Sequence, residues 1–196
     1  ERANILVPPA NVDPEGHLSI TLSMPRWLCA ECIERFGFDG AKAYLSALNA
    51  PAPLTLRVNA RRGTRTEVQH QLERELGVVV GATRYSPSGL VIEEARAPAG
   101  LLRPEEGRWQ AQDEAAQSVS FVVAPSPGMR VLDACAAPGG KTCHLAELMD
   151  DQGIVDAVDI HAGKVAEVAE AARRLGLSSV RTHAADASLP LPCAPG

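Results

Sequence analysis

The stretch Val131-Leu132-Asp133-Ala134-Cys135-Ala136-Ala137-Pro138-Gly139-Gly140-Lys141-Thr142 decides the fold of this chain. It begins in a short apolar run, residues 130–134, which predicts a strand, and residues 142–149 have apolar side chains spaced as on one helix face. A strand, a glycine turn and a helix form the first unit of a nucleotide-binding α/β sheet. Adjacent glycines let the backbone approach a ligand, and free N–H groups at a helix start bind anions or carboxylates.

The spacing of the glycines excludes two common phosphate-binding motifs. A P-loop has a glycine five residues before the Gly-Lys-Thr, where this chain has Cys135, and the dinucleotide fingerprint needs separated glycines. A second buried strand is predicted at residues 154–160, and Asp159 stands at its end. It lies about twenty residues beyond the turn, where α/β nucleotide sites place the carboxylate that binds ribose. These observations favour a nucleotide-type ligand at the turn over a tight turn without a ligand.

The segment from Asp133 to Thr142 resembles the cofactor motif of the RNA (cytosine-5)-methyltransferases, the NOL1/NOP2/Sun family, and most closely its bacterial Sun/Fmu branch. Other segments with similar counterparts in that family are residues 53–59, 112–117, 158–160, 174–176 and 185–186. The resemblance extends from Met24 to the end of the chain. It implies S-adenosyl-L-methionine as the cofactor and RNA, first of all ribosomal RNA, as the substrate.

The resemblance also implies a set of cofactor-binding residues, which are Cys135, Ala136, Ala137, Pro138, Gly139, Gly140, Lys141, Asp159 and Asp186. A carboxylate only accepts hydrogen bonds, so Asp159 suits the two ribose hydroxyls and Asp186, after a third strand at 180–184, suits the adenine amino group. Asp186 is alternatively a turn residue. Gln112 and Asp113 are candidates for the methionine end of the pocket, although Asp113 is also a good helix cap.

No catalytic residue is predicted within this chain. In the family, a cysteine after the fourth strand attacks C6 of the target cytosine, which makes C5 electron-rich enough to accept the methyl group. Cys193 lacks the preceding strand and the Asp-Ala-Pro order of that motif. The chain by itself is therefore expected to be inactive. Alternatives are a methyltransferase acting on transfer RNA or protein, and a non-catalytic RNA-binding or assembly module.

The predicted fold class is α/β: the first half of a Rossmann-like S-adenosylmethionine methyltransferase sheet, preceded by a small α/β RNA-recognition-like subdomain. The small subdomain is indicated by an alternating strand at 54–59, a helix that begins with a Thr64–Glu67 capping box and ends at Gly77, and strands at 78–80 and 90–92. Helices are predicted at 25–37 and 39–48. The predicted boundaries are a linker or tail at 1–23, the subdomain at 24–108 and the cofactor-binding domain at 109–196.

Charge is distributed unevenly along the chain. The net charge is −5, and residues 111–196 supply all of it, which argues against nucleic-acid binding by bulk electrostatics. Four arginines lie within nine residues that hold no acidic side chain, and they form the candidate RNA-binding surface: Arg57, Arg61, Arg62 and Arg65. Arginine suits phosphate oxygens and stacks on bases. The alternative is a solvated arginine-rich loop.

Cysteine usage and hydropathy indicate the cellular compartment in which the protein is expected. The chain has 5 cysteines, an odd number without a regular framework, which fits a reduced compartment. Cys29-x-x-Cys32 has no second pair to complete a zinc site, so no metal is predicted. Neither a signal sequence nor an apolar run of membrane-spanning length is seen, so a cytoplasmic protein without a membrane partner is expected.

Overall fold

The computed structural model describes residues 7–92, 101 and 106–193. The chain divides into two compact units, Glu1–Ala52 and Pro53–Gly196. The first unit contains helices α1 (Pro14–Leu22) and α2 (Arg26–Leu48). The second contains a small antiparallel sheet followed by a parallel sheet, so the α/β fold predicted from the sequence is confirmed.

The first unit differs from the linker predicted at residues 1–23, because α1 lies within that range. The sequence of α1 has no apolar stripe, and its start depends on a cap: the Asp13 carboxylate accepts a hydrogen bond from the Gly16 N–H at 3.0 Å. Gly37 has φ 69° and interrupts α2, in agreement with the two helices predicted there. The core of this unit consists of Leu18, Cys29, Cys32, Ala41 and Leu45.

Cys29 and Cys32 are therefore packing residues. Both are buried in that core, and burial raises the pKa of the Cys29 thiol. Within the described part of the chain, no group of three or more His, Cys, Asp or Glu side chains is arranged to hold a metal ion. No helix there is long and apolar enough to cross a membrane.

The small sheet has four strands in the order β2-β3-β1-β4, all antiparallel. The strands are β1 (Leu54–Val58), β2 (Val80–Ala82), β3 (Gly89–Ile92) and β4 (Trp109–Ala111). Helix α3 (Arg65–Leu76) follows β1, and the predicted capping box is present, with Thr64 and Glu67 bonded in both directions. Its side chains Val68 and Leu72 pack on Leu56, Val58, Val80, Leu90, Ile92, Leu101 and Trp109.

Strand β4 moves a predicted domain boundary. The sequence placed residue 109 in the cofactor-binding domain, but Trp109–Ala111 pairs with Leu56–Val58 of β1. The small sheet therefore extends to residue 111, and helix α4 (Glu114–Val123) begins shortly after it.

The parallel sheet has three strands in the order β5-β6-β7: β5 (Arg130–Asp133), β6 (Ile154–Asp159) and β7 (Val180–Ala184). Helices α5 (Gly140–Leu148) and α6 (Ala162–Leu175) connect them and bury one face of the sheet, through Val131, Val155 and Val180. The opposite face carries an ion pair, since the Arg130 guanidinium donates to Asp156 at 2.8 Å. Because the strands are parallel, their carboxyl ends lie along one edge, which includes Asp133, Asp159 and Asp186.

His144 is a buried histidine in the middle of α5. Its ring packs edge-on against Phe121 of α4, with the ring centroids 4.9 Å apart, and it is 1% exposed. Its ring nitrogens have no hydrogen-bond partner among the described side chains and backbone groups. Burial, together with the nearby Arg57 guanidinium, lowers the pKa of His144 to about 3. The folded protein therefore keeps this imidazole neutral at pH values at which the unfolded chain protonates it.

We expect His144 to make the protein less stable as the pH falls. Its folded-state pKa lies below the unfolded value of about 6.5, so protons bind preferentially to the unfolded chain between those two values. Below about pH 6, the free energy of unfolding should decrease relative to His144→Leu by about 1.4 kcal/mol per pH unit. Chemical denaturation between pH 5 and 7 measures this difference. Phe121→Leu is the packing control and should leave the pH slope unchanged; an identical slope in His144→Leu would contradict the prediction.

Candidate functional site

The glycine turn lies between β5 and α5, at the carboxyl edge of the parallel sheet. The Ala136 N–H donates to the Val158 carbonyl at 2.9 Å, and the Gly139 N–H donates to the Ala136 carbonyl at 2.7 Å. Gly139 has φ 98°, and a Cβ added there would lie 3.2 Å from the Cα of Val168. The turn is thus fixed to β6 and pressed against α6, and Gly139 must be glycine for both conformational and steric reasons.

Helix α5 begins immediately after this turn. Gly139 occupies its N-cap position, and no side chain in the described part of the molecule caps the helix. The Thr142 hydroxyl donates to the Asp133 carboxylate at 2.7 Å, which ties the first helical turn to the end of β5. The uncapped backbone N–H groups at this helix start are suited to bind a carboxylate.

Asp159 lies beside the glycine turn, as the sequence predicted for a ligand carboxylate. One of its oxygens accepts from the Ala137 N–H at 3.2 Å, and the other accepts from the His161 N–H at 3.0 Å. The backbone hydrogen bond from His161 is the main cause that holds the pKa of Asp159 below its usual value. The side chain is therefore ionised at neutral pH and has lone pairs left for further donors.

Asp186 follows β7 along the same edge. The Ala185 N–H donates to the Asp159 carbonyl at 3.0 Å, so the backbones that carry the two acids are hydrogen-bonded neighbours. The Asp186 carboxylate also accepts from the Ser188 N–H at 2.9 Å and from its hydroxyl at 2.7 Å. These bonds lower the pKa of Asp186 and give it the geometry of a turn residue. A ligand that binds Asp186 would therefore use a carboxylate that already accepts two hydrogen bonds from Ser188.

The other residues predicted to bind the cofactor fall into two groups. Cys135, Pro138 and Lys141 are exposed, whereas Ala136 is buried against Ala157 and Val168. Ala136 therefore contributes through its backbone and packing. A cleft of about 680 Å³ adjoins the turn between β4 and α6, and Pro138 lies on its wall. Neither Asp159 nor Asp186 lines that cleft, so the carboxylates at the strand ends mark a separate part of the surface.

Arg57 does not belong to the predicted RNA-binding surface, because its side chain is buried and only 1% of the residue is exposed. Its guanidinium donates to both Glu147 oxygens, at 3.1 and 2.8 Å, and to the Gly140 carbonyl at 2.7 Å. It also donates to the side-chain oxygen of Gln112. A guanidinium held in this way between β1 and α5 is not available to RNA phosphates.

The Arg57–Glu147 pair is a buried ion pair with two hydrogen bonds. Burial raises the pKa of Glu147, and the Arg57 guanidinium opposes that shift. Removal of only one partner would leave a buried charge without compensation, at a cost of about 3–5 kcal/mol. This contact could not be predicted from local sequence patterns, because its two residues are 90 positions apart.

The other three arginines of the predicted RNA-binding surface are bound to the chain itself to different degrees. Arg61 donates to the Asp150 carboxylate at 3.3 Å and to the Gly176 carbonyl at 3.0 Å, while Arg62 donates to the Glu106 carbonyl. Arg65 is half-buried and has a long hydrogen bond of 3.4 Å to the Ser86 carbonyl. Arg61 and Arg62 are exposed, so they are the members of the set that solvent and a polyanion can reach.

The two residues considered for the methionine end of the pocket have different surroundings. Asp113 is the N-cap residue of α4, but its side chain makes no capping hydrogen bond to the described backbone. Gln112 lies against Gly140: a Cβ added to that glycine would be 3.6 Å from the Gln112 Nε2. Gln117, which was not singled out from the sequence, is fully buried and donates to the carbonyls of Leu56 and Gln112. Gln117 is buried because α4 packs against β1, and no local sequence pattern predicts that packing.

Two family models match the chain. One is described as 16S rRNA methyltransferase RsmB/F and matches residues 120–193. The other is described as the ferredoxin-like domain of RsmF/B-like methyltransferases and matches residues 24–98.

Individual relatives agree with these matches. The probable ribosomal RNA small subunit methyltransferase B of Bacillus subtilis is 35% identical over 89% of this chain and 39% of the relative. A 28S rRNA (cytosine-C(5))-methyltransferase of Mus musculus is 32% identical over 78% of this chain and 19% of the relative. The crystal structure of PH0851 superposes with a TM-score of 0.78 at 30% identity, covering 92% of this chain and 40% of the other.

The chain thus spans less than half the length of these relatives. The resemblance identified in the sequence is confirmed by both family models and by the curated relatives. The chain belongs to the family that the models describe, the 16S rRNA methyltransferases RsmB/F, and it contains the ferredoxin-like domain and the first strands of the methyltransferase sheet of that family.

Proposed function

We propose that the intact protein transfers a methyl group from S-adenosyl-L-methionine to C5 of a cytosine in RNA, and that the RNA is ribosomal. The observation that carries this proposal is the hydrogen bond between the Asp159 carboxylate and the Ala137 N–H. It places an ionised acceptor beside a glycine turn at the edge where such sheets bind nucleotides. The names of the relatives, which specify ribosomal RNA and cytosine C5, support the substrate.

The residues of this chain would bind and orient the donor. Asp159 would accept hydrogen bonds from the two ribose hydroxyls, and Asp186 would accept one from the adenine amino group. The N–H groups at the start of α5 would bind the carboxylate of the methionine end. The donor would supply the electrophilic methyl group, and the backbone of Ala137 to Lys141 would help to hold it.

The reacting cysteine lies outside this chain in this proposal. Its thiolate adds to C6 of the cytosine, which gives C5 the electron pair that forms the bond to the methyl carbon. The electrons of the broken sulfur–methyl bond remain on the donor sulfur. Loss of the C5 proton and then of the cysteine thiolate restores the aromatic base. Cys143 is unsuited to this role, because burial raises the pKa of its thiol to about 12.

The direct test of this function is methyl transfer to unmethylated ribosomal RNA by the intact protein. Transfer to a cytosine C5 is expected, identified by mass spectrometry of the nuclease-digested RNA. If only transfer RNA or a protein becomes methylated, ribosomal RNA is not the substrate. The absence of transfer to any RNA, with the donor bound, would contradict the RNA-methyltransferase proposal.

Asp159→Asn is expected to weaken S-adenosyl-L-methionine binding about tenfold, because an amide replaces one acceptor oxygen by a donor. Isothermal calorimetry gives the dissociation constant. The matched control is Glu170→Gln, an exposed carboxylate on α6 that is paired with Arg173. Since the pKa of Asp159 is lowered, the ratio of the wild-type and Asp159→Asn constants should stay level from pH 5 to pH 8. Equal donor affinities of the wild type and Asp159→Asn would show that Asp159 does not bind the donor.

Gly139→Ala tests the turn itself. The added Cβ would meet the backbone of Val168 at a positive φ, so we expect a loss of about 1–3 kcal/mol of stability and a weaker donor affinity. Gly163→Ala is the control, because a Cβ there meets nothing within 4 Å and the residue lies in the first turn of α6. Thermal unfolding and donor titration of both variants check the prediction. A Gly139→Ala protein with wild-type donor affinity would show that the turn does not contact the donor.

The exposed arginines Arg61 and Arg62 form the proposed RNA contact. Arg61→Gln with Arg62→Gln should weaken RNA binding and flatten its dependence on salt, by about 0.7 in the logarithmic slope per lost phosphate contact. Filter binding over a series of salt concentrations measures both effects. Arg173→Gln is the control, since Arg173 is an exposed arginine that is also paired within the chain, with Glu170. An unchanged slope in the double variant would assign these arginines to the fold alone.

A further inference from the structure

We propose that Arg57 is a positioning residue for the methyl donor: from a strand of the neighbouring sheet, it holds the first turn of α5 so that the glycine turn keeps its donor-binding conformation. This inference rests on the donor assignment made above. It gives the ferredoxin-like sheet a direct part in forming the donor site.

The contacts of Arg57 reach the turn itself. The guanidinium donates to the carbonyl of Gly140 at 2.7 Å, and Gly140 is both the second glycine of the pair and the first residue of α5. The same nitrogen donates to the side-chain oxygen of Gln112, whose amide nitrogen lies beside Gly140. Arg57 thereby fixes one backbone group of the turn and the side chain that packs on it.

Glycine-rich backbone has many accessible conformations, so this turn needs restraints from its surroundings. Three restraints come from the parallel sheet and its helices: the Ala136 bond to Val158, the Thr142 bond to Asp133, and the Ala137 bond to Asp159. All of them come from within the parallel sheet and its helices. The bond from Arg57 adds a restraint from outside that sheet, because it comes from β1 and holds the carbonyl of Gly140, where the chain enters α5.

Arginine is suited to this task, and lysine is not. A planar guanidinium has five N–H donors in a fixed fork, so it can serve the Glu147 carboxylate, the Gly140 carbonyl and the Gln112 amide together. Two of these N–H groups donate to the Glu147 carboxylate, whose side chain is 4% exposed, so water does not compete for them. A glutamine at position 147 would retain one acceptor oxygen for the guanidinium.

These roles separate positioning from simple stabilisation. If Arg57 only pairs with Glu147, then replacing both by apolar residues of similar volume removes two buried charges and leaves the turn as it was. If Arg57 positions the turn, the same replacement removes the Arg57 hydrogen bond from the Gly140 carbonyl, and binding of the methyl donor weakens even in a stable protein. Glu147→Gln, which keeps Arg57 in place, should then bind the donor normally.

The experiment compares four forms of the intact protein with the wild type: Glu147→Gln, Arg57→Lys, Arg57→Met with Glu147→Leu, and, as control, Arg130→Met with Asp156→Leu. The control removes an ion pair from the far face of the parallel sheet. Calorimetry with S-adenosyl-L-methionine and with its demethylated product gives the affinities. Hydrogen exchange at the Gly139 and Cys143 amides, which are bonded to the carbonyls of Ala136 and Gly139, reports on the turn without any ligand.

We expect donor binding to weaken about tenfold in Arg57→Lys and in Arg57→Met with Glu147→Leu, with faster exchange at both amides. Glu147→Gln should stay within about twofold of the wild type, and the control pair should keep the wild-type affinity even if its melting temperature falls. If Arg57→Met with Glu147→Leu does not fold, Arg57→Lys decides the question. Wild-type affinity and exchange in the Arg57 variants would overturn the inference. If the wild type itself binds no donor, the proposed function fails, and the exchange rates still decide whether Arg57 restrains the turn.

Discussion

The fold of the second unit depends on the polar side of β1 being buried. Leu56 and Val58 point into the core beneath α3, while Thr55, Arg57 and the following Asn59 are equally inaccessible on the other side. Polar groups without water must find partners, or each costs about 1–3 kcal/mol. Arg57 finds Glu147 and Gly140, and the Asn59 side chain donates to the carbonyls of Gly107 and Leu175. Because these bonds are directional, they fix how the antiparallel sheet meets α5 and α6.

This constraint changes the role of the small sheet. In RNA-recognition domains the open face of such a sheet stacks on RNA bases. Here the corresponding face carries Arg57 and is covered by α4 and α5, as the buried Gln117 of α4, bonded to the Leu56 carbonyl, shows. The similarity to RNA-recognition folds is therefore one of topology, and any RNA contact of this subdomain must come from its loops. The exposed Arg61 and Arg62, just beyond β1, are on such a loop.

What the sequence could predict follows from the range of the interactions involved. The Thr64–Glu67 capping box, the end of α3 at Gly77 and the place of Asp159 depend on neighbours in the sequence or on strand periodicity, and all are found as predicted. The burial of Arg57 could not be predicted, because the alternation of β1 is that of a half-exposed strand and its partner is 90 residues away. Helix α1 could not be predicted for a different reason: it lacks an apolar stripe, and only the cap residue Asp13 marks its start. Local sequence patterns thus predicted the glycine turn and Asp159. The Arg57 hydrogen bonds that restrain the turn could be seen only in the tertiary structure.

The positions of the two proposed contact regions along α5 constrain how RNA would lie on the protein. The glycine turn is at the first residue of this helix, and Arg61 bonds to Asp150, just beyond its last residue. A helix of nine residues is about 13 Å long, so the two regions lie at opposite edges of the parallel sheet. Arg61 and Arg62 are therefore separated from the proposed donor site, and in this proposal they bind RNA that extends along the side of the molecule. Strand β1 and helix α5 thus connect the two proposed contact regions without bringing them together.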